Sequence, residues 1–214
     1  MDSLILGCVV DGKGSRLNVL THFKSLKSFR LDEDDGECDP YYEGEPHTLD
    51  EPMEGLKGSL EELEIIQYLC APEEEPWLSS LFEFERLRSV RMDAYVVFKR
   101  TYKKDMRRRE VEVLPKGIEV LELLKYDQYA IGMLLRILSE KKELVPRLRE
   151  VRLYRSKADE GGRDKERFAV KGEDIGELKR VCKEEGIVLE CFGENMQRTV
   201  DEMEDESTFW RNLD

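Results

Sequence analysis

The sequence predicts an α/β solenoid with about seven parallel strands on a concave face and irregular helices and loops on the convex side. Three observations predict it. A six-residue phrase, Leu-x-x-apolar-x-Leu, returns five times, as Leu26-Lys-Ser-Phe29-Arg-Leu31, Leu60-Glu-Glu-Leu63-Glu-Ile65, Leu87-Arg-Ser-Val90-Arg-Met92, Ile118-Glu-Val-Leu121-Glu-Leu123 and Leu148-Arg-Glu-Val151-Arg-Leu153. Shorter versions at Leu4-Ile-Leu6 and Leu189-Glu-Cys191 extend the series to seven. The apolar-x-apolar core of each phrase has period two, so its apolar pair shares one face of a strand while the residue between them takes the other. Helical stripes occupy several of the intervals, as crossovers between parallel neighbours require. A phrase recurring at this period is the signature of stacked repeats.

Indexed on the central residue, the copies fall at Ile5, Arg30, Glu64, Arg91, Glu122, Arg152 and Glu190, with spacings of 25, 34, 27, 31, 30 and 38 residues. The unequal spacing predicts loops of variable length hung on a constant strand. After the first strand, Leu17, Leu20 and Phe23 suggest a short helix beginning near Ser15. The second strand leads into an acidic insertion, residues 32–54, which holds eleven carboxylates and no lysine or arginine. It reads as solvated, poorly ordered and dispensable. After the third strand a helix starting at Pro76 would turn Trp77, Leu78, Leu81 and Phe82 inward. A basic loop, residues 99–109, follows the fourth strand with Lys99, Arg100, Lys103, Lys104, Arg107, Arg108 and Arg109.

Between the fifth and sixth strands, Ile131, Leu134, Leu135 and Leu138 form an i, i+3, i+4, i+7 stripe behind Asp127, an N-cap residue. Before the seventh, Asp174-Ile-Gly-Glu177 has capping-box spacing, and Ile175, Leu178, Val181 and Cys182 share a face. Gly186 stands where a left-handed residue ends the helix. Residues 1–192 therefore read as one solenoid domain, and residues 193–214 as an acidic tail or a cap whose Met196, Val200, Met203, Phe209 and Trp210 fold back.

These residues resemble leucine-rich-repeat proteins of filamentous fungi, many of which carry an N-terminal F-box. The likeness rests on Leu114-Pro-Lys-Gly-Ile-Glu-Val-Leu-Glu-Leu123, the 131–138 helix, Val145-Pro-Arg-Leu-Arg-Glu-Val-Arg-Leu153, and Leu178-Lys-Arg-Val-Cys-Lys-Glu-Glu-Gly-Ile-Val-Leu189. It spans roughly residues 1–192 and speaks to architecture. No F-box is recognisable ahead of the repeats. The resemblance implies a substrate-recognition module related to F-box ubiquitin-ligase subunits, with a ubiquitin-ligase complex as partner, as the alternative to a general interaction module.

Composition narrows the function classes. No apolar run reaches the roughly 18 residues a membrane span needs, and Met1-Asp-Ser-Leu-Ile-Leu reads as a strand, since an acid stands where a signal peptide has basic residues. Five cysteines without a Cys-x-x-Cys pair fit a reducing compartment, cytoplasmic or nuclear. The basic loop suggests a nuclear-import signal or a nucleic-acid contact, but a net charge of −13 argues against nucleic acid as the main partner. Gly7-Cys-Val-Val-Asp-Gly12-Lys13-Gly14-Ser15 imitates a phosphate loop, yet Gly14 replaces the hydroxyl that must follow the lysine. Asp32, Asp34 and Glu43 imitate a calcium loop, yet Gly36 is one place early for its sharp turn. His22 and His47, the only histidines, have no metal-ligand spacing, and no serine sits in a nucleophile elbow. We therefore expect no catalysis, cofactor or metal.

What remains is a binding surface. The residues between the buried pairs run Arg30, Glu64, Arg91, Glu122, Arg152, Glu190, alternating in sign. In register, parallel neighbours lie about 4.8 Å apart, which makes this row an ion-pair ladder or a recognition strip. Two places further along the strands stand Asp32, Ile66, Asp93, Leu124, Tyr154 and Phe192. The apolar end of that column beside the ladder has the composition of a partner site. Arg91, Glu122, Leu124, Arg152, Tyr154 and Phe192 are its candidate residues, to be covered either by a protein partner or by the tail.

Overall fold

The computed structural model describes residues 2–8, 17–33, 49–67, 81–98, 113–154 and 170–192. They form an α/β fold built on one open sheet of seven parallel strands, whose spatial order equals the chain order. The strands are β1 (Ser3–Cys8), β2 (Ser28–Glu33), β3 (Glu62–Gln67), β4 (Ser89–Asp93), β5 (Val120–Leu124), β6 (Glu150–Tyr154) and β7 (Val188–Phe192). Each copy of the phrase is one strand. The register aligns Ile5, Arg30, Glu64, Arg91, Glu122, Arg152 and Glu190 across all seven.

The apolar pairs of β2 to β6 make a continuous core. Phe29, Leu31, Leu63, Ile65, Val90, Met92, Leu121, Leu123, Val151 and Leu153 are all buried, and so are the corner residues Leu26, Leu60, Leu87, Ile118 and Leu148. Each such side chain contributes about 1.5–3 kcal/mol relative to an exposed one. The backbone repeats as well. One carbonyl ahead of each of β2 to β5 accepts two successive amides of the next strand: Lys27 from Glu61 and Glu62, Glu61 from Arg88 and Ser89, Arg88 from Glu119 and Val120, Glu119 from Arg149 and Glu150. At the corners, a carbonyl three residues earlier accepts from Leu87, Ile118 and Leu148. Gly117 fits this close stacking because a side chain there would bring its Cβ within 3.3 Å of the Leu87 carbonyl.

Between strands lie a 3-10 helix (Leu17–His22), α1 (Asp50–Met53), a 3-10 turn (Glu54–Leu56), α2 (Ala94–Phe98), α3 (Gln128–Ser139), α4 (Lys141–Leu144) and α5 (Gly172–Glu184). Helix α3 starts as the stripe predicts: Asp127 Oδ1 accepts the Ala130 amide at 2.8 Å. It buries Ala130, Ile131, Met133, Leu134, Ile137 and Leu138 against the sheet's core face. Gly186 adopts φ 68°, the left-handed turn that returns the chain into β7.

Three expectations are corrected. Helix α5 begins before Asp174, and Lys171 at its N-cap gives no side-chain hydrogen bond. Asp174 instead accepts from Gln128 Nε2 at 2.6 Å, while Gln128 Oε1 accepts the Lys171 amide at 3.0 Å, so the first turns of α3 and α5 are tied by a tertiary contact. Phe82 is exposed, and Phe84 is the aromatic that enters the core. The acidic insertion is not uniformly solvated. At its end Leu49 and Met53 are fully buried and α1 packs on the first 3-10 helix, because these apolar residues fill the base of the β2–β3 interval. The helix expected at Pro76, the Asp34 and Glu43 carboxylates, Gly12-Lys13-Gly14, the basic loop from Lys99 to Arg109 and the tail from 193 lie outside the described residues.

Candidate interaction face

The strands that bury one row of residues must present the next row on the opposite face, and there the alternating charges meet. Arg91 Nη1 lies 3.0 Å from Glu64 Oε1 and its Nε 3.8 Å from Glu122 Oε2. Arg152 Nη1 lies 2.8 Å from Glu122 Oε1 and its Nε 3.4 Å from Glu190 Oε2. Arg30 Nε reaches Glu64 at 3.7 Å. Both interior arginines thus sit between two carboxylates, as the row predicts. Side contacts brace the ladder within strands, from Arg30 to Asp32 at 2.9 Å and from Arg152 to Glu150 at 2.6 Å. Shielding is deepest at the centre: the Glu122 side chain is 12% exposed and that of Glu190, at the end, 44%. At the other end Ile5 stands in the row at 66% exposure, and the ladder stops at Arg30.

The column beside the ladder gathers the candidate residues. Leu124, Tyr154 and Phe192 are neighbours in register on β5, β6 and β7. The rings of Tyr154 and Phe192 stack with centroids 4.7 Å apart and an interplanar angle of 19°. The Arg91 guanidinium lies over the Tyr154 ring, 5.5 Å from its centre, a cation–π contact that spans β5. The Tyr154 hydroxyl donates to Glu122 Oε2 at 3.1 Å. Burial, and then the negative charge of Glu122, push the Tyr154 phenol up to about 12. Glu122 is therefore the hub of the patch, holding Arg91, Arg152 and Tyr154 together. The Lys125 ammonium meets Asp93 at 3.0 Å, from a backbone turn with φ 47° that leads out of β5.

All six sequence-predicted residues of the face, Arg91, Glu122, Leu124, Arg152, Tyr154 and Phe192, are thus brought into one half-buried patch. Two features escaped the sequence reading. The first is the reach of Arg91 over Tyr154. The second is another alternating row three places before the ladder, Lys27, Glu61, Arg88, Glu119, Arg149, in which Lys27 meets Glu61 at 3.9 Å and Arg149 meets Glu119 at 3.2 Å. Lining up the phrases on their index residue shows that row as plainly as the first.

Within the patch the Glu122 carboxylate lies between the Arg91 and Arg152 guanidiniums and accepts the Tyr154 hydroxyl. Among the described residues no group of three or more His, Cys, Asp or Glu side chains is arranged to hold a metal ion, and no helix is long and apolar enough to cross a membrane. Comparison with protein families, with curated proteins and with solved structures finds no match.

Proposed function

We propose that the chain is a leucine-rich-repeat type of solenoid that acts, in the cytoplasm or nucleus, as a non-catalytic protein-interaction module. The observation that carries this reading is the stacked Tyr154–Phe192 pair beside Leu124, set on a sheet face and framed by the ladder of alternating charges. A rigid apolar centre bordered by paired charges is the layout of a binding hot spot.

The same face suggests the chemistry of the partner. Over β2 to β7 its three rows hold seven carboxylates (Asp32, Glu62, Glu64, Asp93, Glu122, Glu150, Glu190) against the guanidiniums of Arg30, Arg91 and Arg152. A protein surface with net positive charge and an apolar centre complements it, and nucleic acid does not. Proximity labelling or pull-down in the native cell tests the reading. Tyr154→Ala should lose the captured partner while keeping the fold, and Lys142→Ala, on exposed α4, should keep it. Capture that is unchanged by Tyr154→Ala and by Leu124→Ser would refute the site. Recovery of a cullin would favour the ubiquitin-ligase module that the resemblance implies.

A further inference from the structure

The ladder ends on an acid. In β6, Arg152 is flanked by Glu122 on one side and Glu190 on the other, at 2.8 and 3.4 Å. Glu190, in the last of the described strands, has the Arg152 guanidinium on its inner side, and among the described residues the alternation stops there, with the place of the next cation on its outer side. The apolar groups of β7 are left in the same condition. Val188 is 57% exposed, Cys191 is exposed, and Leu189 and Phe192 are half-buried. The backbone completes the description. The Val188 amide donates inward to the Arg149 carbonyl at 2.9 Å, and in a parallel strand the direction alternates, so the amides and carbonyls of Leu189 and Cys191 point outward. Strand edges are ordinarily defended by lysine, proline or a bulge. Val188-Leu-Glu-Cys-Phe192 carries neither lysine nor proline.

We infer that the outer edge of β7 takes up an extended segment of a partner protein as an added parallel strand, with the pattern apolar, arginine or lysine, apolar, aromatic. The cation stands beside Glu190, the aromatic stacks at the level of Phe192, and the two apolar residues extend the core face beside Leu189 and Cys191. The inner neighbour of β7 shows that this pattern fits, because Val151-Arg152-Leu153-Tyr154 makes the same contacts from the other side. A second copy of the chain is a poorer occupant. Its β1 would set Ile5 beside Glu190, and its β7 would set one glutamate against another. The surface is an edge that meets the face around Leu124 at Phe192, and the inference shares with the proposed function that residue and the need for a protein partner.

The probe is a labelled peptide with the sequence of residues 149–155, titrated into the full chain and followed by fluorescence anisotropy. We expect saturable binding. Arg152→Glu in the peptide should weaken it about threefold to tenfold, and Glu190→Arg in the protein should reverse that preference. Backbone N-methylation of the peptide should abolish binding, because pairing needs its amides. Equal binding of both peptides to both proteins, or unimpaired binding of the N-methylated peptide, overturns the inference. So does sedimentation showing a stable self-association that Glu190→Arg alters, since a second copy would then hold the edge. Leu124→Ser in the protein should leave peptide binding unchanged, which separates a failure of this edge from a failure of the face.

Discussion

The central strands and the last strand carry the same apolar-x-apolar phrase and have different fates. In β4, β5 and β6 two core-face residues are buried in each strand and the residues of the other face are half-buried. In β7 the corresponding Leu189 is half-buried and Cys191 exposed. Burial of the core-face pair in this sheet therefore depends on a strand on both sides as well as on the phrase itself. The ladder makes the same point in charge, since Glu122 has a guanidinium on each flank and Glu190 on one.

The largest expected difference lies in the core. Leu121→Ala should cost about 2–5 kcal/mol, as cavity-forming changes do, and Leu189→Ala clearly less because its site is half open. Urea denaturation of the two variants decides this, and equal losses would break the comparison. Next comes charge at the shielded centre. Arg91→Glu places three carboxylates in succession and should cost about 1–3 kcal/mol. Adding Glu122→Arg should restore part of that loss, and a double-mutant cycle without coupling would contradict the register. At the edge, Glu190→Arg in the free protein should shift stability by less than about 1 kcal/mol, being a partly solvated pair.

The smallest effect is a pH dependence. The Tyr154 phenol is raised from 10.0 to about 12 in the fold, so the unfolded chain gives up its proton first. Its contribution is whole below pH 10.0 and is lost as pH rises towards about 12. Ultraviolet titration should find one tyrosine ionising late, and Tyr154→Phe should remove that transition.

How much of this was legible follows from the range of each interaction. Strand positions, register and ladder were legible because one period-two phrase fixes all three, and Asp127 was legible as a cap because capping is local. Asp174 misled because its partner, Gln128, lies in another helix and no local spacing signals it. Leu49 and Met53 were hidden by the acids around them, and Pro52 gave no hint that a turn of helix passes through it. Phe82 and Phe84 are two places apart in a turn of no regular period, so pattern alone does not choose between them. The six residues of the face were found from their columns, but the bridge from Arg91 across β5 to Tyr154 depends on how far a long side chain leans.

The alternation of sign gives the chain a parity. Arg30, Arg91 and Arg152 belong to strands whose preceding row is also basic, Lys27, Arg88 and Arg149, while Glu64 and Glu122 follow the acids Glu61 and Glu119. Strands of this sheet thus come in two kinds that must take turns. Deleting β3, β4 or β5 with its crossover brings like charges together in both rows at once, whereas deleting two successive ones of these keeps the new neighbours opposite in sign. Within the alternating strands β3 to β5, the smallest length that can be removed without electrostatic conflict is a pair of strands, and duplication or recombination there would have to move in twos.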